Sequence, residues 1–123
     1  MLNYSITEAD FLYRRFSIKD EPNYAVFWKL VNGSKVPSSA AFKTKQNENG
    51  LSVNIAALTT PEATVKNSKE FGVAEISAST PIKLGYLCKH NPQPENDAHA
   101  IIVGDTKPIA KKLSKAITQV FRF

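Results

Sequence analysis

The chain carries one cysteine, one tryptophan, one methionine and two histidines in 123 residues. A single cysteine, Cys88, excludes an internal disulfide framework and fits a reducing compartment. The two histidines leave little for a metal centre. Cys88, His90, Asp97 and His99 supply donor atoms, yet their spacing matches neither paired Cys-x-x-Cys knuckles nor His-Glu-x-x-His, so no metal is expected. Gly33, Gly50, Gly72, Gly85 and Gly104 are scattered, which excludes the phosphate-cradling loops of P-loop and dinucleotide-binding proteins, and no cofactor is expected. No run approaches the ~20 apolar residues a membrane span needs. Met1 to Asp10 lacks the basic and then apolar pattern of a signal peptide. These absences predict a soluble, cytoplasmic protein without a membrane partner.

What is present is one domain's worth of apolar residues: 42% hydrophobic content over residues 1–123, with no repeat, low-complexity tract or linker. The charge is uneven. Of the net +5, most lies in residues 105–123, which hold five basic residues and one acidic residue. Pro108 to Arg122 reads as an amphipathic helix: Ile109, Leu113, Ala116, Ile117 and Val120 share one face, Lys111, Lys112, Lys115 and Arg122 the other.

Upstream, residues 8–16 suit either a capped helix, with Thr7 and Asp10 as the cap, or a strand alternating Leu12, Arg14 and Phe16 against Phe11, Tyr13 and Arg15. Tyr24 to Val31 is aromatic and branched in the manner of a strand and ends at an Asn32-Gly33 turn. Leu51 to Ile55 alternates with period two. Thr60-Pro61-Glu62 reads as an N-cap, a first-turn proline and a carboxylate at the positive helix end, predicting a short helix to about Ser68. Further strands are expected over Gly72–Ser77, Ile82–Lys89 and Ala98–Val103, the last apolar on both faces and so central. The prolines between the last two forbid a tight hairpin and predict a stiff, exposed loop. The expected fold is α+β: a largely antiparallel sheet of about five or six strands, a short middle helix, and the C-terminal helix packed on one face.

Four groups of residues carry possible chemistry. Lys111, Lys112 and Lys115 can neutralise phosphates, or simply form a solvated helix face. Adjacent Arg14 and Arg15 point to opposite faces if they lie on a strand; one held in a cleft can grip a phosphate or carboxylate, while the alternative is pairing with Asp10 or Glu75. His99 shares a strand face with Ile101 and Val103 and can act as acid or base, or pack with its ring hydrogen-bonded. Ser38 and Ser39 can provide a nucleophile or a phosphate-binding hydroxyl, or form a turn after Pro37. A two-histidine phosphoesterase is disfavoured, since neither His90 nor His99 sits in a His-x-Thr or His-x-Ser repeat.

Leu12-Tyr13-Arg14-Arg15, Pro37-Ser38-Ser39-Ala40-Ala41-Phe42, Leu51-Ser52-Val53, Phe71-Gly72-Val73-Ala74, and Asn96-Asp97-Ala98-His99-Ala100 with Val103-Gly104 together resemble an uncharacterised family of small bacterial proteins. The likeness spans most of the chain and departs at Asp97, where that family often has proline. The resemblance implies a bacterial, intracellular, freestanding domain in which Arg14, Ser39, Ser52 and His99 form one polar site. It supplies no activity.

The reading placed first is therefore a binding module for a phosphate-bearing ligand, nucleic acid or nucleotide, using the basic helix and the polar residues Arg14, Ser39, Ser52 and His99. One alternative is an enzyme of nucleotide or ADP-ribose chemistry with His99 as acid or base and Arg14 holding the anion. The other is a protein-interaction subunit docking a partner through aromatics among Tyr24, Phe27 and Trp28.

Overall fold

A computed structural model describes residues 3–123. Its main element is a six-stranded antiparallel sheet in the order β6-β7-β4-β1-β5-β8, with a separate two-stranded hairpin, β2-β3. In chain order the strands are β1 (Phe11–Ser17), β2 (Trp28–Val31), β3 (Ser34–Pro37), β4 (Gly50–Ile55), β5 (Phe71–Ser77), β6 (Cys88–His90), β7 (His99–Val103) and β8 (Ile117–Phe121). The helices are α1 (Pro61–Val65), α2 (Ser79–Lys83) and α3 (Ala110–Lys115), with short 3-10 turns including Ser39–Phe42. The α+β expectation holds, and the ambiguous segment at residues 8–16 resolves into strand β1. Thr7 and Asp10 form a turn that precedes it, the Thr7 amide donating to Asp10 Oδ2 at 2.8 Å.

Register decides what each face carries, because residues paired across an antiparallel ladder share a side of the sheet. Leu12 pairs with Ile55 and Ile76, Arg14 with Ala74, Val53 with Ala100 and Leu51 with Ile102. That face buries the main core, closed by Phe42 from the 3-10 turn and by Ala110 and Leu113 from α3. On the opposite face lie Tyr13, Arg15, Ser52, Asn54 and His99. A smaller cluster of Tyr13, Val65 and Val73 attaches α1 to that side. Thr60 caps α1 as expected, its hydroxyl accepting from the Ala63 amide at 3.1 Å.

Four expectations need correction. The helix foreseen from Pro108 to Arg122 ends at Lys115, and Ile117–Phe121 instead becomes β8, paired with β5 through Val73↔Phe121 and Ala74↔Val120. The outer edge of β5 offers a row of ladder donors and acceptors, and the β-branched Ile117, Thr118 and Val120 suit it better than one more helical turn. Arg122 is consequently not on the helix with Lys111, Lys112 and Lys115. The strand foreseen over Ile82–Lys89 is mostly α2 and its cap. Gly85, at φ 91°, donates to the Ile82 carbonyl and Tyr86 to that of Pro81, the paired bonds of a glycine-terminated helix, so only Cys88–His90 remains strand.

Tyr24–Val31 is likewise part 3-10 turn (Ala25–Phe27) and part strand, although the Asn32-Gly33 turn is present with both residues at positive φ. The connection before β7 does contain a tight turn: Gln93 and Asn96 exchange backbone hydrogen bonds of 3.0 and 2.9 Å around Pro94-Glu95. Proline is tolerated there because it sits between the paired residues and need not donate. Strand β7 is interior as expected, although β4 and β1 are the middle pair.

Candidate functional site

The sheet is parted at its centre. β1 and β4 pair only through Leu12↔Ile55 and Tyr13↔Asn54, while each continues beyond that point against its other neighbour, β1 on β5 and β4 on β7. Past Tyr13 the two strands therefore diverge, and backbone groups of β4 that would have joined the ladder need other partners. Arg14 supplies one. Its Nη1 donates to the Ser52 carbonyl at 2.9 Å and its Nε to the Ala41 carbonyl at 2.8 Å, tying β4 and the 3-10 turn to β1 across the gap.

The gap opens into a cleft of about 550 Å³. Arg14, Ser52 and His99 all line it, with Asn54, Asn96 and Gln93 beside them, the cations Arg15, Lys45 and Lys66, and the aromatic rings of Tyr13, Tyr24, Phe27 and Phe71. Glu48 is the one carboxylate among these lining residues. None of the ion pairs among the described residues involves Arg14, Arg15, Lys45 or Lys66. Arg15 instead stacks over Phe71 at 4.2 Å, so neither arginine pairs with Asp10 or Glu75.

Burial dominates the electrostatics of Arg14, pulling its guanidinium down to about 10, with the field of Glu48 opposing and that of Arg15 reinforcing the shift. It remains charged at neutral pH, held by neutral carbonyls. Nη2 has no hydrogen-bond partner among the described residues and is not sealed from solvent. A cation that is desolvated, fixed in orientation and short of a counter-charge gains from an anion that shares its site.

His99 is buried at 9% exposure, and both ring nitrogens have partners. Nδ1 lies 2.8 Å from the Asn91 carbonyl, which can only accept, so the neutral ring carries its proton there. Nε2 is thereby an acceptor, and the Ser52 hydroxyl at 3.3 Å donates to it. Asn96 extends the polar floor: its Nδ2 donates to Asn54 Oδ1 at 2.8 Å, and Asn54 Nδ2 donates to Thr64 Oγ1 at 3.0 Å.

Lys66, which ends α1, adds a backbone signal. It has φ 58° and ψ −52°, and the Asn67 amide donates to the Val65 carbonyl across it at 2.6 Å. This is the γ-turn of positive φ, rare and strained for a residue with a side chain. The strain falls on a cation that lines the cleft.

Of the residues singled out in the sequence, Arg14, Ser52 and His99 meet in one place. Ser39 does not line the cleft; it lies half-buried two residues before Ala41, whose carbonyl holds Arg14. Lys111, Lys112 and Lys115 are exposed on α3, which packs on the opposite face of the sheet from His99 and Ser52. Tyr24 is exposed, whereas Phe27 and Trp28 are half-buried, Trp28 Nε1 donating to the Lys19 carbonyl at 2.8 Å. Sequence reasoning missed Lys45, Lys66, Asn54 and Asn96. The polar alternation of Ser52 and Asn54 along β4 was a usable signal for Asn54; the other three reach the cleft from loops and helix ends. Comparison with family models, with curated proteins and with solved structures gives no match for this chain.

Proposed function

We propose that the chain is a binding module for a phosphate-bearing ligand of nucleotide class, which occupies the cleft between β1 and β4. The observation that carries this reading is Arg14: a guanidinium oriented by two backbone carbonyls, with no carboxylate partner and one nitrogen unpaired among the described residues. Lys45, Lys66 and Arg15 add positive charge around it. Tyr13, Tyr24, Phe27 and Phe71 offer faces on which a planar base can stack, and Asn96 and Gln93 offer donors and acceptors for its edge. A cleft of about 550 Å³ is of the size that small-molecule sites take.

Isothermal titration with pyrophosphate and with adenosine monophosphate tests this. Saturable one-to-one binding is expected for both, tighter for the nucleotide, and weakened at least tenfold in Arg14→Met. Equal affinity in that variant, with the fold intact by circular dichroism, contradicts the reading.

A second reading has its own observation, the exposed Lys111, Lys112 and Lys115 of α3. These suit the backbone of a nucleic acid. Salt-sensitive oligonucleotide binding that disappears when all three become glutamate supports that reading; no binding at low salt removes it.

A further inference from the structure

The pair formed by Ser52 and His99 does more than line a binding site. A hydroxyl donating to a histidine Nε2, whose Nδ1 proton is fixed by a third group, is the arrangement that activates serine nucleophiles; here the Asn91 carbonyl takes the orienting position. Ser52 is exposed while His99 is buried behind it, so the hydroxyl is reachable and its base is protected. The 3.3 Å separation is of the loose kind common before substrate binds. Arg14 donates to the carbonyl of Ser52 itself, which places a fixed cation at the nucleophile's own residue.

We propose that Ser52 is a nucleophile activated by His99 and that it acts on a phosphodiester. The assignment rests on the reading of the cleft as a phosphate site. Ser52 Oγ attacks phosphorus and gives its proton to His99 Nε2. The bond from phosphorus to the leaving oxygen breaks, and that oxygen takes the proton from His99. Water then attacks the phosphoserine diester, its proton passing to His99, and Ser52 Oγ departs and recovers that proton. The sum is a phosphodiester and water giving a phosphomonoester and an alcohol. Arg14 stabilises the charge on the phosphoryl oxygens as it develops.

Two probes test this. The first is a fluorophosphonate, which loses fluoride on attack and leaves its phosphonyl group on an activated serine. Peptide mass spectrometry is expected to find the adduct on Ser52, with labelling slowed ~100-fold or more in His99→Asn, the size expected for loss of a general base. Asparagine keeps a donor for the Asn91 carbonyl and lacks the base. No adduct on Ser52 overturns the nucleophile, and if pyrophosphate still binds, the binding reading stands without it. An adduct that forms as fast in His99→Asn overturns the role of His99.

The second probe is bis(4-nitrophenyl) phosphate. Its hydrolysis by the wild-type protein is expected to vanish in Ser52→Ala, a change at an exposed position, with the fold of the variant checked by circular dichroism. Hydrolysis that survives in Ser52→Ala overturns the mechanism. Labelling of Ser52 without any hydrolysis of the diester overturns the substrate class.

Discussion

Arg14 serves two ends, since the same guanidinium that bridges β4 and the Ser39–Phe42 turn presents a cation to the cleft. The two roles separate by substitution. Arg14→Met leaves the Ser52 and Ala41 carbonyls without their donor and is expected to cost about 2 kcal/mol in urea unfolding, the scale of losing hydrogen bonds to a charged group. Lys66→Gly should act in the opposite sense on stability. Glycine takes positive φ freely, so relief of the γ-turn is expected to add about 1 kcal/mol while the loss of one cation weakens pyrophosphate binding. A fall in both, read by unfolding and titration of the same variant, would contradict the strain argument.

Cys88 is the residue whose pH behaviour has the clearest sign. Burial pushes its thiol from 9.0 up to about 11, so the unfolded chain loses this proton first. As pH rises between those values the unfolded state binds fewer protons than the folded one. The contribution of Cys88 to stability is therefore full below about pH 9 and lost progressively towards 11. Native protein at neutral pH is expected to react with a thiol reagent only as fast as it opens, a dependence that added urea exposes. Rapid modification without urea would contradict it.

At the scale of elements, the C-terminal segment is the instructive case. Its apolar spacing fits a helix as far as Leu113, and Ala110 and Leu113 are buried as that spacing requires. Beyond Lys115, Ile117 to Phe121 also reads as a strand, and periodicity over five residues does not arbitrate between the two. Pairing with β5 decides it, and that edge is invisible in the sequence because it is made by residues some 45 positions away. Where a signal is local the reading succeeds: Thr60-Pro61 starts α1, Asn32-Gly33 turns the β2-β3 hairpin, and β4 alternates.

The site follows the same rule. Alternation on β1, β4 and β7 places Arg14, Ser52 and His99 on strands, but their meeting depends on β1 and β4 parting after two pairs, which no local pattern announces. Gly50 shows how closely β4 is held on its other side, for a Cβ there would collide with the Ile102 carbonyl. Gly50→Ala is expected to destabilise the fold by about 2 kcal/mol, checked by the urea midpoint; an unchanged midpoint would show that β7 yields easily.

For the whole molecule, the net charge of +5 includes two separate basic regions, the cleft that Arg14, Arg15, Lys45 and Lys66 line and the exposed lysines of α3, none of which lines it. Any polyanion is expected to feel both, with weak, non-specific attraction from the lysines at low salt. Under the proposed function a small phosphate-bearing ligand is expected to distinguish them, because of the two it is the cleft that combines an oriented, desolvated cation with aromatic walls. The most direct measurement is therefore a titration of isotope-labelled protein with adenosine monophosphate at physiological salt, followed by the backbone amide resonances. Saturating shifts are expected at Arg14, Ser52, Asn54, Asn96 and His99, with Lys111, Lys112 and Lys115 unmoved. Shifts confined to α3, or none that saturate, would contradict the account.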